Sequence, residues 1–268
     1  MKKITLDESK KIQLGILVKF AEFCDKHNLW YCLAYGSLIG AIRHKGFIPW
    51  DDDIDLVMMR KDYDFVIENF NREMSDSNIV AIVPGQLIHP YLKIGDKNTV
   101  KNEEGAKKNT DMINIDVFPL DGIPEGDNEY EAWKQKLAKI YTAHYYQNLY
   151  YKDKPLINKF KIVIKKILLG CYFKNRSYFL KKAKTEHEKY PYDTARYVGS
   201  HECLYSYKKE RILKGNYVER IKAEFEGLEF YIPKNYHEIL TAIYGDYMQL
   251  PPEEQRVTHH LCEFFIKD

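Results

Sequence analysis

The sequence predicts an α+β fold in which a mixed β-sheet is flanked by helices and interrupted by a helical insertion. Residues 7–28 carry apolar side chains at helical spacing and run into a strand-like WYCLAY. Residues 53–59, DIDLVMM, alternate acidic and apolar side chains and then become wholly apolar, as a strand entering a core does. From residue 128 to about residue 190 the chain turns rich in Lys and Tyr, with helical spacing and no strand pattern.

Asp7 opens the first helix. Ile12, Ile16, Leu17, Phe20 and Cys24 form its apolar face, and Lys10, Lys11, Lys19 and Lys26 lie elsewhere. The strand at 30–35 ends in Gly36-Ser37, and SLIGAIRH continues as one or two helical turns. After Gly46 the chain runs extended through Pro49 to the acidic residues. KDYDFVIENFNREM at 61–74 reads as a second helix, and short strands fit 79–83, 90–95 and 113–118. Pro119 through Gly126 reads as a turn-rich break. Strands return near 197–200 and 228–232. The last helix, NYHEILTAIYG, places Tyr236, Ile239, Leu240, Ile243 and Tyr244 on one face. Asn235 is its expected N-cap, with Glu238 three residues on and Gly245 as the stop. The whole chain, 1–268, reads as one domain, with 128–195 as a basic helical insertion. Between Lys152 and Lys189 only Asp153, Glu186 and Glu188 oppose the basic residues.

A chain of 268 residues can bury a core without disulfide or metal staples. The formal net charge of +2 supplies no global field for a polyanion, so no nucleic-acid partner is expected. Cys24, Cys32, Cys171, Cys203 and Cys262 are scattered with no CxxC pair, which argues against a disulfide framework or a zinc ribbon and fits a reducing compartment. MKKITLDESKK has no apolar stretch of the signal-peptide kind, and no segment reaches the roughly 20 apolar residues that span a bilayer. The expectation is a cytoplasmic protein. The 22 tyrosines carry little weight, since aromatic rings cage cations but a high count is also a habit of composition.

The chemistry concentrates in WDDDIDLVMM. On a strand, Asp53 and Asp55 point to one face while Ile54 and Leu56 point into the core. Adjacent carboxylates must share a proton or hold a cation. Hard divalent ions of the Mg²⁺ type take one or two carboxylates together with phosphate oxygens, which is what a phosphoryl- or nucleotidyl-transfer site needs. A solvated acidic loop is disfavoured by the apolar LVMM that follows. A calcium loop would need a glycine at its sixth position and a distal glutamate, and neither fits. The DxD site of sugar transferases is the chemical rival. Upstream, the Gly36-Ser37 turn offers free backbone N–H groups and a hydroxyl to phosphate oxygens. Downstream, Asp116 lies between Ile115 and Val117, where an acid is costly unless paired or metal-bound. It is a natural third ligand and a candidate base for an attacking hydroxyl; a structural ion pair is the alternative.

The stretch YGSLIGAIRHKGFIPWDDDIDLVMMRKDY closely resembles the signature of the LicD-type phosphotransferases, of which the fukutin-related proteins are distant relatives. The resemblance continues through YLKIGDKNT, INIDVFPLDGIP and YGDYMQLPPEEQRVTHH, and scarcely touches 128–230. It implies a nucleotidyltransferase-like fold in which Gly36 and Ser37 precede Asp53 and Asp55, with Asp116 on a neighbouring strand. Asp51 and Asp52 are extra acids whose part the sequence leaves open.

Around the acids, Arg43, His44 and Lys45 are candidates to meet diphosphate oxygens, Arg43 in a bidentate way. Lys93 sits on a strand between apolar residues as an inward-facing cation. Trp50 can stack on a base, face a quaternary ammonium group, or simply pack. Two adjacent histidines, His259 and His260, cannot both face one metal from a helix; the resemblance favours Arg256 and one histidine, His260, on phosphate or the leaving group. KPLINKFKIVIKKILLG sets Leu156, Phe160, Val163, Ile164 and Ile167 on one face among lysines, the pattern either of an interfacial helix on an anionic membrane or of ordinary packing.

Together these readings predict a phosphotransferase that uses Mg²⁺ or Mn²⁺ at Asp53, Asp55 and Asp116. The resemblance implies a CDP-activated donor, CDP-choline first, and a glycan or glycolipid acceptor of the cell surface. The rivals are transfer of the nucleoside monophosphate itself, a non-catalytic scaffold on this fold, and a DxD sugar transferase.

Overall fold

The computed structural model describes every residue except 105, 176, 203–209 and 259–261. The chain opens with β1 (Lys2–Ile4), α1 (Leu6–Lys26), β2 (Tyr31–Leu33) and α2 (Tyr35–Ile39), followed by a π-type turn over Gly40–His44. Next come β3 (Asp55–Met59), α3 (Arg60–Glu73), β4 (Ile79–Ile82), β5 (Leu92–Asp96), β6 (Thr99–Asn102) and β7 (Asn114–Ile123). Three helices follow: α4 (Asp127–Asn148), α5 (Leu156–Leu168) and α6 (Tyr178–His187). The chain closes with β8 (Tyr197–Gly199), β9 (Ile212–Leu213), β10 (Arg220–Phe225), β11 (Leu228–Pro233), α7 (Tyr236–Tyr244) and β12 (Glu263–Ile266). This is an α+β fold.

The central sheet runs β2-β3-β7-β5-β4, and β8 and β9 extend from β7. It is mixed: β3 and β7 pair in parallel, and β2, β5 and β8 join them antiparallel. α1 lies across β5 and β7. Its Ile16, Leu17, Phe20 and Cys24 meet Leu33, Leu56, Ile94 and Ile115 of the sheet in one buried cluster. Burying each such aliphatic chain contributes about 1.5–3 kcal/mol.

The first helix differs from expectation at both its cap and its polar side. Its N-cap is Thr5, not Asp7. The Thr5 hydroxyl accepts from the Glu8 N–H (3.2 Å) and the Glu8 carboxylate accepts from the Thr5 N–H (2.8 Å), a reciprocal capping box. Lys10 is also not on an exposed face: Lys10 and Gln13 are buried and bond to the loop that carries the acids. At the other end of the chain, Asn235 occupies the N-cap position of α7 without a side-chain capping bond.

The expected break at Pro119 is absent, because β7 continues to Ile123. Asp116 donates its N–H to Ile54 on the β3 side, so the N of Pro119, three residues on, faces the other side. There the β5 pairing stops at Val117 and the β8 pairing starts at Asp121, so the missing N–H interrupts no ladder. Because β8 returns to β7 itself, α4–α6 form an excursion between paired strands. They have their own cluster around Trp133, Leu137, Ile140, Tyr141 and Phe179.

A buried ionic knot ties that excursion to the sheet. Arg60 grips Asp121 through Nε (2.6 Å) and Nη2 (2.5 Å), and Nη2 also reaches Glu202 at 3.2 Å. Nδ1 of His187 lies 3.0 Å from Asp121. Burial alone would raise the Asp121 carboxyl, but Arg60 and His187 hold it far below the usual range. Two further sheets complete the fold, and of their strands the sequence reading had only β11, at 228–232. β1-β12-β6 joins the chain ends, with Lys2 opposite Ile266. β10-β11 is a hairpin whose two turn residues, Glu226 (φ 54°) and Gly227 (φ 74°), both take the left-handed conformation that a tight hairpin needs.

Candidate active site

The site forms where the chain leaves β2 and enters β3. At the end of β2 the backbone turns through Tyr35, which holds a left-handed φ of 48°. A non-glycine residue there costs roughly 1–3 kcal/mol, so other contacts must hold it. The Tyr35 ring packs edge-on against Phe118 at 5.6 Å, and its hydroxyl donates to Glu210 at 3.1 Å. Gly36 follows under a steric constraint: a Cβ there would run into the Asp51 carboxylate. The glycine is what lets that acid lie against the turn. Ser37 is buried, and its hydroxyl accepts the Asp55 N–H at 2.9 Å, fixing the first residue of β3.

The acidic loop is held from below by α1. Lys10 donates to the carbonyls of Ile48 (3.4 Å) and Pro49 (3.2 Å), and Gln13 donates to the Asp52 carbonyl at 2.8 Å. From the side, Glu226 of the β10-β11 turn accepts the Phe47 N–H at 3.0 Å. β3 begins only at Asp55, so Asp53 belongs to the loop and not to the strand. Both nevertheless line one cleft of about 710 Å³, with Asp51 between them and the Gly36 turn.

Three carboxylate environments result. Asp55 and Asp116 stand directly opposite each other on the parallel pair β3 and β7. Burial, and then the charges of Asp53, Asp116 and Asp51, push the Asp55 carboxyl well above its usual range. Asp51 is pushed up to about 7 by burial and by Asp53 and Asp52. Asp116 behaves oppositely. Burial would raise it, but Lys93 and Lys101 outweigh burial and keep it below its ordinary value. Lys93 is buried and donates to Asp116 at 2.8 Å and to Asn114 at 3.3 Å. Acids that repel one another to this degree either share protons or bind a cation.

Among the described residues, three groups bring possible ligand atoms within 4.8 Å of one another. In the first, the Arg60 guanidinium already bridges Asp121 and Glu202, and His187 lies 3.0 Å from Asp121. His89 and Glu103, 3.3 Å apart, lie with Asp111 in the field of buried Lys93 and Lys101. Asp51, Asp52 and Asp53 form the third group, beside Asp55 at the cleft. Its donors are all carboxylate oxygens, the set that suits Mg²⁺ or Mn²⁺ and not a soft metal.

The remaining candidates are spread around this floor. Trp50 lines the cleft, with the Arg256 guanidinium 5.8 Å from its ring and His44 edge-on at 6.4 Å. Arg43 lines it too, but Nη1 donates across to the carbonyls of Tyr247 (2.6 Å) and Gln249 (3.3 Å), bracing the far wall. Arg256 Nε is engaged by the Pro251 carbonyl at 2.8 Å. Ser37, His44, Lys93, Asp116 and Arg256 are not on the cleft wall; Ser37 and Asp116 bear on it through Asp55, which is. His260, with His259, lies outside the described residues. The sequence reading missed Tyr35, Tyr244 and Tyr247 on the wall, and Lys10 and Gln13 beneath it. For the last two a signal existed: positions 10, 13, 17, 20 and 24 follow the same helical period as the core.

A cleft floored by carboxylates between a Gly-Ser turn and a parallel strand pair is an architecture suited to group transfer. Residues 28–151 match the family model described as the LicD/FKTN/FKRP nucleotidyltransferase domain. The chain is 34% identical, over 99% of its length and 100% of the relative's, to the lipopolysaccharide cholinephosphotransferase LicD of Haemophilus influenzae. Uncharacterized proteins of Rickettsia typhi and Rickettsia prowazekii are 26% identical over 60% of this chain and 59% of theirs, and 40% identical over 54% and 63%. The chain belongs to the LicD family, and so to the transferases of phosphorus-containing groups.

Proposed function

We propose that the protein moves phosphocholine, or a related phospho-substituent, from a CDP-activated donor to a hydroxyl of a cell-surface glycan precursor. CDP-choline is the donor we favour, and a lipopolysaccharide-type glycolipid or a teichoic-acid precursor the acceptor. The cluster of carboxylates in one cleft carries this reading, supported by the named activity of the Haemophilus relative. Asp53 and Asp55, which line the cleft with Asp51, are the residues that would hold Mg²⁺ or Mn²⁺, with Asp116 opposite Asp55 as the third carboxylate behind the wall; the ion when bound would offset the charge of the diphosphate.

The chain's own groups divide the remaining work. Tyr35, Trp50, Tyr244 and Tyr247 give the cleft aromatic faces, the surface on which a quaternary ammonium group is stabilised. Arg256, beside Trp50, is placed to pair with a phosphate oxygen. The acceptor oxygen forms a bond to the choline-bearing phosphorus. The bond from that phosphorus to the bridging oxygen breaks, CMP leaves with the electron pair, and the proton of the acceptor hydroxyl passes to solvent water in the open cleft. Lys93 keeps Asp116 anionic and weakly basic, which fits Asp116 to hold charge and not to take the hydroxyl proton.

The test is a transfer assay with CDP-choline, a divalent ion and a lipid-linked glycan, read as CMP release and as the mass added to the acceptor. Asp53→Asn and Asp55→Asn should each abolish both signals. Retention of metal-dependent transfer in either variant sinks the site assignment. Nucleotide appearing on the acceptor, with no CMP released, would instead assign transfer of the nucleoside monophosphate.

A further inference from the structure

The three helices between β7 and β8 expose a surface that the cleft chemistry does not use. α5 spans 13 residues and is buried on one side only, where Ile162 and Lys166 turn inward. Ile162 packs with Ile88 and Leu149. At 3.6 residues per turn, Leu156, Ile157, Phe160, Ile164, Ile167 and Leu168 fall within about 120° of arc on the opposite side. That side faces solvent: Leu156 is 83% exposed, Phe160 64%, Ile167 55% and Leu168 79%. The turn after the helix continues the patch with Phe173, 82% exposed. The sequence pattern therefore marks a real apolar face, but one directed away from the body. Val163, expected on it, is only partly exposed at its margin.

Soluble proteins seldom leave so continuous an apolar stripe in water without a partner. Its rim defines the partner's charge. α5 contains no acidic residue, and exposed Lys161 and Lys165 border the stripe, with exposed Lys152 and Lys174 just beyond the two ends of the helix. The helix is about 20 Å long, too short to cross a bilayer. No helix among the described residues is long and apolar enough to do so. A short helix with an apolar face and a margin of four exposed lysines against one exposed acid, Asp153, suits one environment, the boundary between anionic headgroups and acyl chains.

We propose that the outward face of α5, extended by Phe173, docks this protein on an anionic lipid bilayer. The apolar side chains enter the acyl boundary, while the lysines meet the headgroup phosphates. The inner side of the helix stays against Ile88, and Lys154 before it pairs with Glu104 at 2.8 Å, so the docked helix remains tied to the body. The stripe lies outside the cleft, and docking is read without donor or acceptor. Its failure and the failure of the transfer reading are therefore distinguishable.

The full chain is sedimented with vesicles of phosphatidylglycerol and phosphatidylcholine, and with phosphatidylcholine alone, at low and high salt. The expected result is binding to the anionic vesicles that high salt weakens. Phe160→Ser with Leu168→Ser should reduce it about tenfold or more, and Lys161→Glu should reduce it on anionic vesicles. Both apolar positions are largely exposed, so thermal unfolding should not shift, and this serves as the folding control. Equal binding by the wild-type protein and the serine variant would overturn the proposal. So would absence of binding to anionic vesicles at low salt. Self-association of the wild-type chain, lost in the serine variant without any vesicle binding, would assign the face to a protein partner and also overturn it.

Discussion

Replacing Lys93 by methionine tests how the site tolerates its third acid. The substitution keeps the volume and removes the charge facing Asp116 at 2.8 Å. At an effective dielectric constant of about 20, unit charges at that separation attract by roughly 6 kcal/mol. Part of this is offset by the burial of both groups, which are 2% and 8% exposed. Leaving one member of such a pair uncompensated costs about 3–5 kcal/mol, and that loss should appear in urea denaturation at pH 7. The pH dependence should also weaken. In the wild-type protein Asp116 titrates below its unfolded value, so its contribution is present above about pH 4 and is lost as pH falls through the folded value. Without Lys93 the largest charge opposing burial is gone and only Lys101 and His89 remain against it, so the carboxyl should rise and the variant should gain stability relative to wild type as pH falls. Adding Asp116→Asn should recover most of the loss, because no buried charge is then left alone. A cost below about 1 kcal/mol, or a double variant no more stable than Lys93→Met, would refute the view that the pair is coupled and buried.

Gly36→Ala should displace Asp51 and cost about 1–3 kcal/mol by overpacking, together with most of the transfer activity; normal activity would show that the Gly36–Asp51 approach is dispensable. Ser37→Ala removes the acceptor of the Asp55 N–H and should cost about 1–2 kcal/mol, lowering kcat more than the donor KM. An equal fall in stability and an unchanged kcat would reduce Ser37 to a packing role. His187 is disfavoured as a cation by burial, yet Asp121 and Glu202 raise its pKa above the ordinary value. Its stabilisation is therefore complete below about pH 6.5 and lost as pH rises through the folded value. Thermal unfolding of His187→Gln should show a flatter pH dependence above neutrality than the wild-type protein; parallel curves would count against the ion pair.

Much of the site was legible because its signals are local. The apolar LVMM after the acids marks a strand, although it starts only at Asp55 and leaves Asp53 in the loop, and the isolated acid in INIDVF marks a buried charge that needs a partner. What that partner is could not be read locally. Lys93 and Asp116 meet only because β5 and β7 pair antiparallel with those two residues opposite. Asp51 looked like a spare acid, and it became central only when Gly36 folded back against it. The continuation of β7 through Pro119 was hidden for a similar reason. A proline is tolerated wherever the sheet leaves that edge unpaired, and the pairing of β5 and β8 decides this.

The sequence by itself determined the helix periods, the apolar run of β3, the Gly-Ser turn and the basic character of the excursion, because each depends on neighbours within a few residues. It also determined which residue types meet at the site, and hence the class of cation they favour. The tertiary structure alone decided which side of an amphipathic helix is buried: α1 turns Lys10 and Gln13 inward beneath the acidic loop, while α5 turns Phe160 and Leu168 outward. It alone closed the sheet of β1, β12 and β6, whose partners lie at opposite ends of the chain. Periodicity defines a face, but what covers that face is set by contacts between residues far apart in sequence, which no local pattern contains.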